Sequence, residues 1–248
     1  MSSNASDVHL SAIDEERFGI RTARASHVTP DTLPSIIDFC RTNDVVLLIA
    51  RCPVSEVRAA QALEREGSRL MDTLVYYVRD LTKTPFPPDI TDIPVRIMRP
   101  GEEEAVKMVA AESFHGYYGH YHSDERLDPA KCDETYADWA LRSCVQRDAT
   151  SEVFVADLKG TIVGFATLRL NNSEEGEGVL FAVAPAAQKR DLYRSFILHG
   201  MEWCRSKGAR RMVVSTQITN IAVQKVWARV GFEFNRAYYT FHKWFDMA

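Results

Sequence analysis

The segment from His115 to Asp128, HGYYGHYHSDERLD, gathers the residue types that acid–base chemistry needs. His115, His120, His122 and Asp124 can each titrate or relay a proton near neutral pH. Such a segment could take a proton from a group about to act as nucleophile. His115 and His122 are the candidate bases here, with Glu177 as a carboxylate alternative further along. Tyr238 is a candidate phenolic acid, and Tyr193 and Tyr239 offer the same group. Each has a plainer reading, a surface loop for the histidines and core packing for the tyrosines. The spacing His120-x-His122 lacks a third ligand at a useful interval, so no metal is expected. No G-x-S-x-G and no ordered Ser, His and Asp set occurs, so no covalent route through a serine nucleophile is expected. Tyr117, Tyr118, Tyr121, Tyr136 and Trp139 could stack on a flat ring of a ligand, or simply build core. Arg126 and Arg142 could reach a phosphate.

These groups need elements to hold them. The chain has 248 residues, 46% hydrophobic, enough for a sizeable core and for more than one compact unit. Residues 1–16 are polar and acidic, without a basic start or an apolar run, and read as a mobile leader rather than a signal peptide. Val45 to Ala50, VVLLIA, is a continuous apolar run, the mark of a strand covered on both faces. Ser55 is placed to cap a helix that Gly67 stops. Leu70 to Val78 is the next strand. Pro85, Pro87, Pro88 and Pro94 then exclude regular structure, and a domain boundary is placed near residue 88. Beyond it the patterns predict a strand from Val95, a helix over 102–114, the loop 115–128 and a helix over 130–146. Strands over 152–157 and 161–170 are joined by the turn Lys159-Gly160. A strand over 177–183, a helix over 192–207, a strand over 211–216, a helix over 221–230 and a strand over 237–244 follow. The order β-α-α-β-β-β-α-β-α-β implies an α/β fold with a mixed sheet and helices on both faces.

That order resembles the GNAT superfamily of N-acyltransferases, and several short motifs agree. Val183-x-Pro185 falls where the family has V-x-P, Gln188 where it has Arg or Gln, and Asn220-x-Ala222 is followed by Val230-Gly231-Phe232. The resemblance covers roughly residues 95–245. It implies an acyl-CoA thioester as co-substrate, held along Phe181, Ala182 and Val183 as by an added strand. It implies a pyrophosphate over Gln188, Lys189, Arg190, Asp191 and Leu192 at a helix start, with Arg194 as a further cation, and pantetheine near Asn220. The sequence departs from the family at two points. The glycine positions of its phosphate loop are Asp191 and Tyr193 here, with Asp191 readable as an ordinary helix N-cap. The Tyr that protonates the departing thiolate, seven residues after the Asn, is Trp227, whose indole N–H is no usable acid.

A second resemblance spans nearly the whole chain. It is to sugar-nucleotide N-acetyltransferases of the TDP-fucosamine type, through Phe18-Gly19, Tyr136-x-x-Trp139, and Thr216-Gln217 followed by Asn220. It implies a half-GNAT-like α/β domain over 1–88 and a catalytic GNAT domain over 89–248. The acceptor it implies is a dTDP-linked deoxy amino sugar, with Tyr117, Tyr118, Tyr121, Tyr136, Trp139 and Gln217 as substrate contacts. Two rivals stay open: a GNAT enzyme for another amine (amino acid, polyamine or protein), and a degenerate domain that binds without turnover. A net charge of −4 gives no general attraction to nucleic acid or membrane. Five scattered cysteines suit reduced thiols in the cytoplasm. The apolar terminal strand YYTFHKWF would suit pairing into a homodimer.

Overall fold

The structure is a computed structural model and describes residues 7–83 and 85–245. In chain order the elements begin with β1 (Asp7–Leu10), α1 (Ala12–Phe18), β2 (Thr22–Ser26), α2 (Leu33–Thr42), β3 (Leu47–Pro53), α3 (Val57–Arg65) and β4 (Arg69–Asp80). They continue with β5 (Val95–Ile97), α4 (Glu103–Ser113), α5 (Pro129–Val145), β6 (Ser151–Leu158), β7 (Thr161–Asn172) and β8 (Glu175–Val183). A single 3-10 turn (Pro185–Ala187), α6 (Leu192–Ser206), β9 (Arg211–Gln217), α7 (Ile221–Arg229) and β10 (Glu233–Trp244) complete the chain. Two compact units result. The first takes the described residues up to Val75, with Tyr118–Cys132 and the chain from Arg236 onward; the second takes Tyr76–Tyr117 and Asp133–Asn235.

In the first unit β1 pairs antiparallel with β2, β2 parallel with β3, and β3 antiparallel with β10. Strand periodicity sorts its side chains. Ala23, Ala25, Leu48, Ala50, Cys52 and Phe241 face one way and pack with α2 and α3 residues such as Ile36, Cys40, Ala59 and Leu63. Leu47, Ile49 and Trp244 face the other way and meet Phe18, Tyr121 and Leu127. The run VVLLIA is thus buried on both faces, as its continuity predicts.

In the second unit β9 runs parallel to β8, and β8, β7, β6 and β5 follow in antiparallel sequence. Leu180 and Ala182 of β8 join a core with Val106, Ala110 and Ala140 of the flanking helices. Val183 joins the opposite core, built on Phe196, Ile197 and Met201 of α6 and on Trp227. The β6–β7 turn has positive φ at both Lys159 (55°) and Gly160 (86°), the geometry that matches the twist of a tight hairpin.

Three expectations change. Residues 7–16 form β1 and most of α1 rather than a leader, because Asp14 is buried against Arg24 of β2; residues 1–6 lie outside the described chain. Ser55 does not cap α3, whose N-cap position is Glu56 without a side-chain bond. The terminal strand starts earlier, at Glu233, and lies between β3 and β4 in the strand order, so it offers no free edge for pairing. No helix among the described residues is long and apolar enough to cross a membrane.

Candidate active site

The second unit has a sheet that opens. β8 and β9 hold register only over Glu175–Gly178 against Arg211–Val214, yet both strands continue past it, to Val183 and Gln217. The parting coincides with a bulge. Thr167 faces Leu180 while Leu168 faces Gly178, which leaves Val179 as the extra residue and bends β8 there. A Cβ on Gly178 at the bend would lie 2.5 Å from the Phe181 ring, so any larger residue there would have to displace that ring. Beyond the bend, Ala184 donates to Val163 of β7. The alternation of an antiparallel ladder then turns the N–H groups of Phe181 and Val183 away from β7, toward the opening. A row of strand-edge groups therefore faces a gap where a ligand chain could pair with them.

The gap leads to the start of α6. Gln188 Nε2 donates to the Val183 carbonyl at 3.3 Å and turns the chain. Lys189 (φ 63°) and Asp191 (φ 56°) are both left-handed, a region non-glycine residues occupy with strain. The backbone thus takes a glycine-like path at Asp191 although the glycine is absent. Asp191 sits at the N-cap of α6, but its side chain makes no capping bond. The helix start keeps unpaired N–H groups, and Arg194 in its first turn has a buried Nη1 without a partner. Free amides, a helix dipole and an unpaired guanidinium nitrogen suit a phosphate group. Arg190 does not offset Asp191, because its guanidinium is paired with Asp92. Lys189 is exposed.

Three aromatic groups line the same region. Tyr193, at the second missing glycine, lays its ring 5.7 Å from Phe181 of β8. Trp227 is buried, with its ring 5.5 Å from Tyr77. The indole Nε1 makes no bond of ordinary geometry, yet lies near enough to the Tyr193 hydroxyl to favour its ionised form. Burial outweighs that effect and pushes the Tyr193 phenol above its usual range. At the end of β9, Asn220 caps α7 by accepting from Val223 N and also donates to Thr216 Oγ1 at 3.1 Å. Tyr117 bonds Gln217 through its hydroxyl, and its ring meets Phe114 and Tyr136 edge-on. Tyr136 in turn stacks on Phe114 at 4.3 Å, while Trp139 is largely exposed. The structure thus brings Tyr117, Gln217, Asn220, Tyr136 and Trp139 together in one unit with Phe181, Ala182, Val183 and the Gln188–Leu192 loop.

The other candidates fall elsewhere. His115 is exposed. Glu177 accepts from Arg169 across the β7–β8 pair at 2.7 Å, so its carboxylate is engaged. Arg142 lies near Asp138, and Arg126 lies over the Trp244 ring. In the first unit Tyr238 meets His27 at 3.2 Å, Tyr118 is exposed, and His122 is half-buried. Tyr121 is buried rather than an open stacking surface, bonded to Asp14 at 2.6 Å and to Arg24. Burial pushes its phenol up to about 12.

One set of residues in the first unit lies beyond sequence reasoning. His242 of β10 is buried, with Nδ1 at 2.7 Å from Asp124 Oδ2 and Nε2 at 3.0 Å from His120 Nδ1. The partners are over a hundred residues apart, and only the loop half carried a signal. Burial, then His242, Arg51, Arg24 and His122, holds His120 well below its usual 6.5. The unfolded chain therefore takes a proton near 6.5 that the folded chain refuses. Stability falls as pH drops below that value, by about 1.4 kcal/mol per pH unit for this group. Thermal melts at about pH 7.5 and 5.5 should show the lower midpoint in acid, and His120→Gln should reduce the difference. Equal midpoints for the unmodified protein would contradict this.

Residues 112–232 match the Acetyltransferase (GNAT) family. Spore coat polysaccharide biosynthesis protein SpsD of Bacillus subtilis (strain 168) is 24% identical over 79% of this chain and 66% of its own length. Mycothiol acetyltransferase of Amycolatopsis mediterranei (strain U-32) is 26% identical over 69% of this chain and 56% of its own length. The chain therefore spans less than two thirds of each of these relatives. Among solved structures, a GCN5-related N-acetyltransferase from Sphaerobacter thermophilus superposes with a TM-score of 0.68 at 13% identity, covering 96% of this chain and 76% of that one. A tandem GNAT protein from the clavulanic acid biosynthesis pathway gives a TM-score of 0.61 at 15% identity over 91% of this chain and 76% of that one. These likenesses show a shared fold.

Proposed function

Because this chain carries an Acetyltransferase (GNAT) family domain over residues 112–232, we propose that it is an N-acyltransferase. It moves an acyl group from a CoA thioester to the amino group of a nucleotide-linked deoxy amino sugar, by direct attack. The observation that carries the reading is the parting of β8 from β9 beside a helix start with a left-handed, uncapped Asp191 and an unpaired Arg194 nitrogen. Acetyl-CoA, or a slightly larger acyl-CoA, supplies the activated carbonyl when bound. The N–H groups of Phe181 and Val183 hold its pantetheine arm as a neighbouring strand would. The amides of Leu192 and Tyr193, with Arg194, receive its pyrophosphate. Asn220 fixes the end of β9 through Thr216. We assign this work to residues 89–248 and treat 1–88 as an accompanying half-GNAT-like domain. The sugar as acceptor draws support from the likeness to a spore coat polysaccharide biosynthesis protein; Tyr117, Gln217, Tyr136 and Trp139 are its proposed contacts. A cytoplasmic location follows from a cytoplasmic nucleotide-sugar substrate.

Thermal melts of the whole protein with CoA, with dTDP, and with both test this. Ligands that bind only the folded state raise the midpoint, by about 2.7 kcal/mol of stability at a hundredfold excess over Kd. The expected result is a rise with CoA and a further rise with dTDP. A rise with CoA alone would replace the sugar with another amine, as the likeness to mycothiol acetyltransferase would suit. No rise with CoA would overturn the acyltransferase reading.

A further inference from the structure

We propose that the Tyr193 hydroxyl is the hydrogen-bond donor that holds the sulfur of the acyl-CoA thioester as it becomes a thiolate, with the Trp227 indole behind it as a positioning residue. Both side chains belong to the second unit. Trp227 is 2% exposed, and its Nε1 is buried without a bond of ordinary geometry. An indole nitrogen can only donate. The group it lies near is the Tyr193 hydroxyl. The phenol oxygen therefore offers a lone pair to the indole and turns its own O–H away from it. Among the described residues no acceptor bonds that O–H. Tyr117 lies close by, but its hydroxyl is engaged with Gln217. Tyr193 is half-buried while Trp227 is sealed, so a ligand entering here meets the phenol first.

The place of the phenol decides what it meets. Its ring lies 5.7 Å from Phe181, on the stretch of β8 beyond Gly178, where pairing with β9 has ended. The strand edge takes the amide groups of the pantetheine arm, which leaves the thioester at the end of that arm. Phe181, Tyr193, Tyr77 and Val223 pack on one core, and aromatic surroundings suit a polarisable sulfur. In the transfer the lone pair of the amine forms the bond to the acyl carbon. The carbon–sulfur bond breaks, its electron pair stays on sulfur, and the proton that the amine sheds passes to water. Tyr193 keeps its own proton. Burial holds this phenol above its usual 10, whereas a simple thiol titrates near 8.5. The phenol is thus the weaker acid, and it lends a hydrogen bond rather than a proton. Thioether-like sulfur accepts weakly, while bonds to an ionised acceptor are roughly twice as strong as neutral ones. The contact therefore strengthens as charge develops, which is what lowers a barrier.

The inference rests on the acyltransferase reading for its ligand, and its test separates the two. Free CoA is bound to the whole protein, and its thiolate is followed by ultraviolet absorbance from about pH 6 to about pH 10, either side of the value for a simple thiol. The complex with desulfo-CoA, which lacks the sulfur, is the blank that removes the protein's own tyrosines. The expected result is a thiolate that forms about one pH unit lower in the unmodified protein than in Tyr193→Phe, a tenfold change in acid constant. Trp227→Phe keeps the phenol without its backing and should shift the titration the same way by less. Desulfo-CoA should bind all three proteins alike, because no donor bond is lost with it. The same thiol titration in the unmodified protein and Tyr193→Phe would overturn the proposal and leave the acyltransferase reading standing. So would a fall in desulfo-CoA affinity as large as that for CoA, which would reduce the two side chains to packing. CoA that does not bind the unmodified protein would sink the acyltransferase reading and the proposal with it.

Discussion

Replacing Trp227 by alanine should lower the stability of the protein by about 3–5 kcal/mol, or about 10 °C in thermal midpoint for a chain of this size. Trp227 is 2% exposed and belongs to the core formed by α6 and β9. Its ring meets Tyr77, which also bonds Gln224 of α7 and meets Phe234 edge-on. Alanine would leave a cavity between α7 and this packing, and the surrounding strands cannot collapse into it without breaking register. Trp227→Phe separates bulk from chemistry. The indole N–H is buried without an ordinary partner, so losing it removes no bond, and phenylalanine should retain most of the stability. If alanine cost less than about 1 kcal/mol, below the range for such cavities, the packing described for α7 would be wrong.

The second large effect is a gain. Asp191→Gly should tighten CoA binding about tenfold, equivalent to about 1.4 kcal/mol. Asp191 holds φ at 56° and ψ at 13° without a capping bond. Glycine occupies that conformation at no steric cost, and the substitution removes a carboxylate from a helix start that would face pyrophosphate. Repulsion between unit charges a few ångströms apart at a wet surface is about 1 kcal/mol, and removing it supplies most of the expected gain. Calorimetric titration of CoA into both proteins checks this. Weaker binding by the glycine variant would mean that the Asp191 carboxylate contacts the ligand rather than opposing it.

Much of the fold was legible because its signals are local. The apolar run at Val45, the Lys159-Gly160 turn, and the helices stopped near Gly67, Gly208 and Gly231 all state their own boundaries. The reading of residues 1–16 failed for the opposite reason. Asp14 looks like a solvated acid, but Arg24, Ser11 and Tyr121 all bond it in a buried position. The site was half legible. Asn220, Gln188 and the β8 edge could be placed by motif, and Tyr117 with Gln217 by the aromatic loop and its likeness. The left-handed turn at Lys189 and Asp191 could not, since the residues that normally announce it are missing. The bulge at Val179 depends on strand register, which one sequence does not reveal. His242, the buried partner of His120 and Asp124, was invisible because its position in β10 reads as one more strand residue.

The central claim is that the β8 edge and the start of α6 hold an acyl-CoA. Calorimetric titration of acetyl-CoA into the whole protein and into Arg194→Glu tests it most directly. The account predicts saturable binding at one site per chain, weakened at least about tenfold by the reversed charge, with both proteins melting alike. Absence of binding by the unmodified protein, or equal affinity in the two, would contradict it.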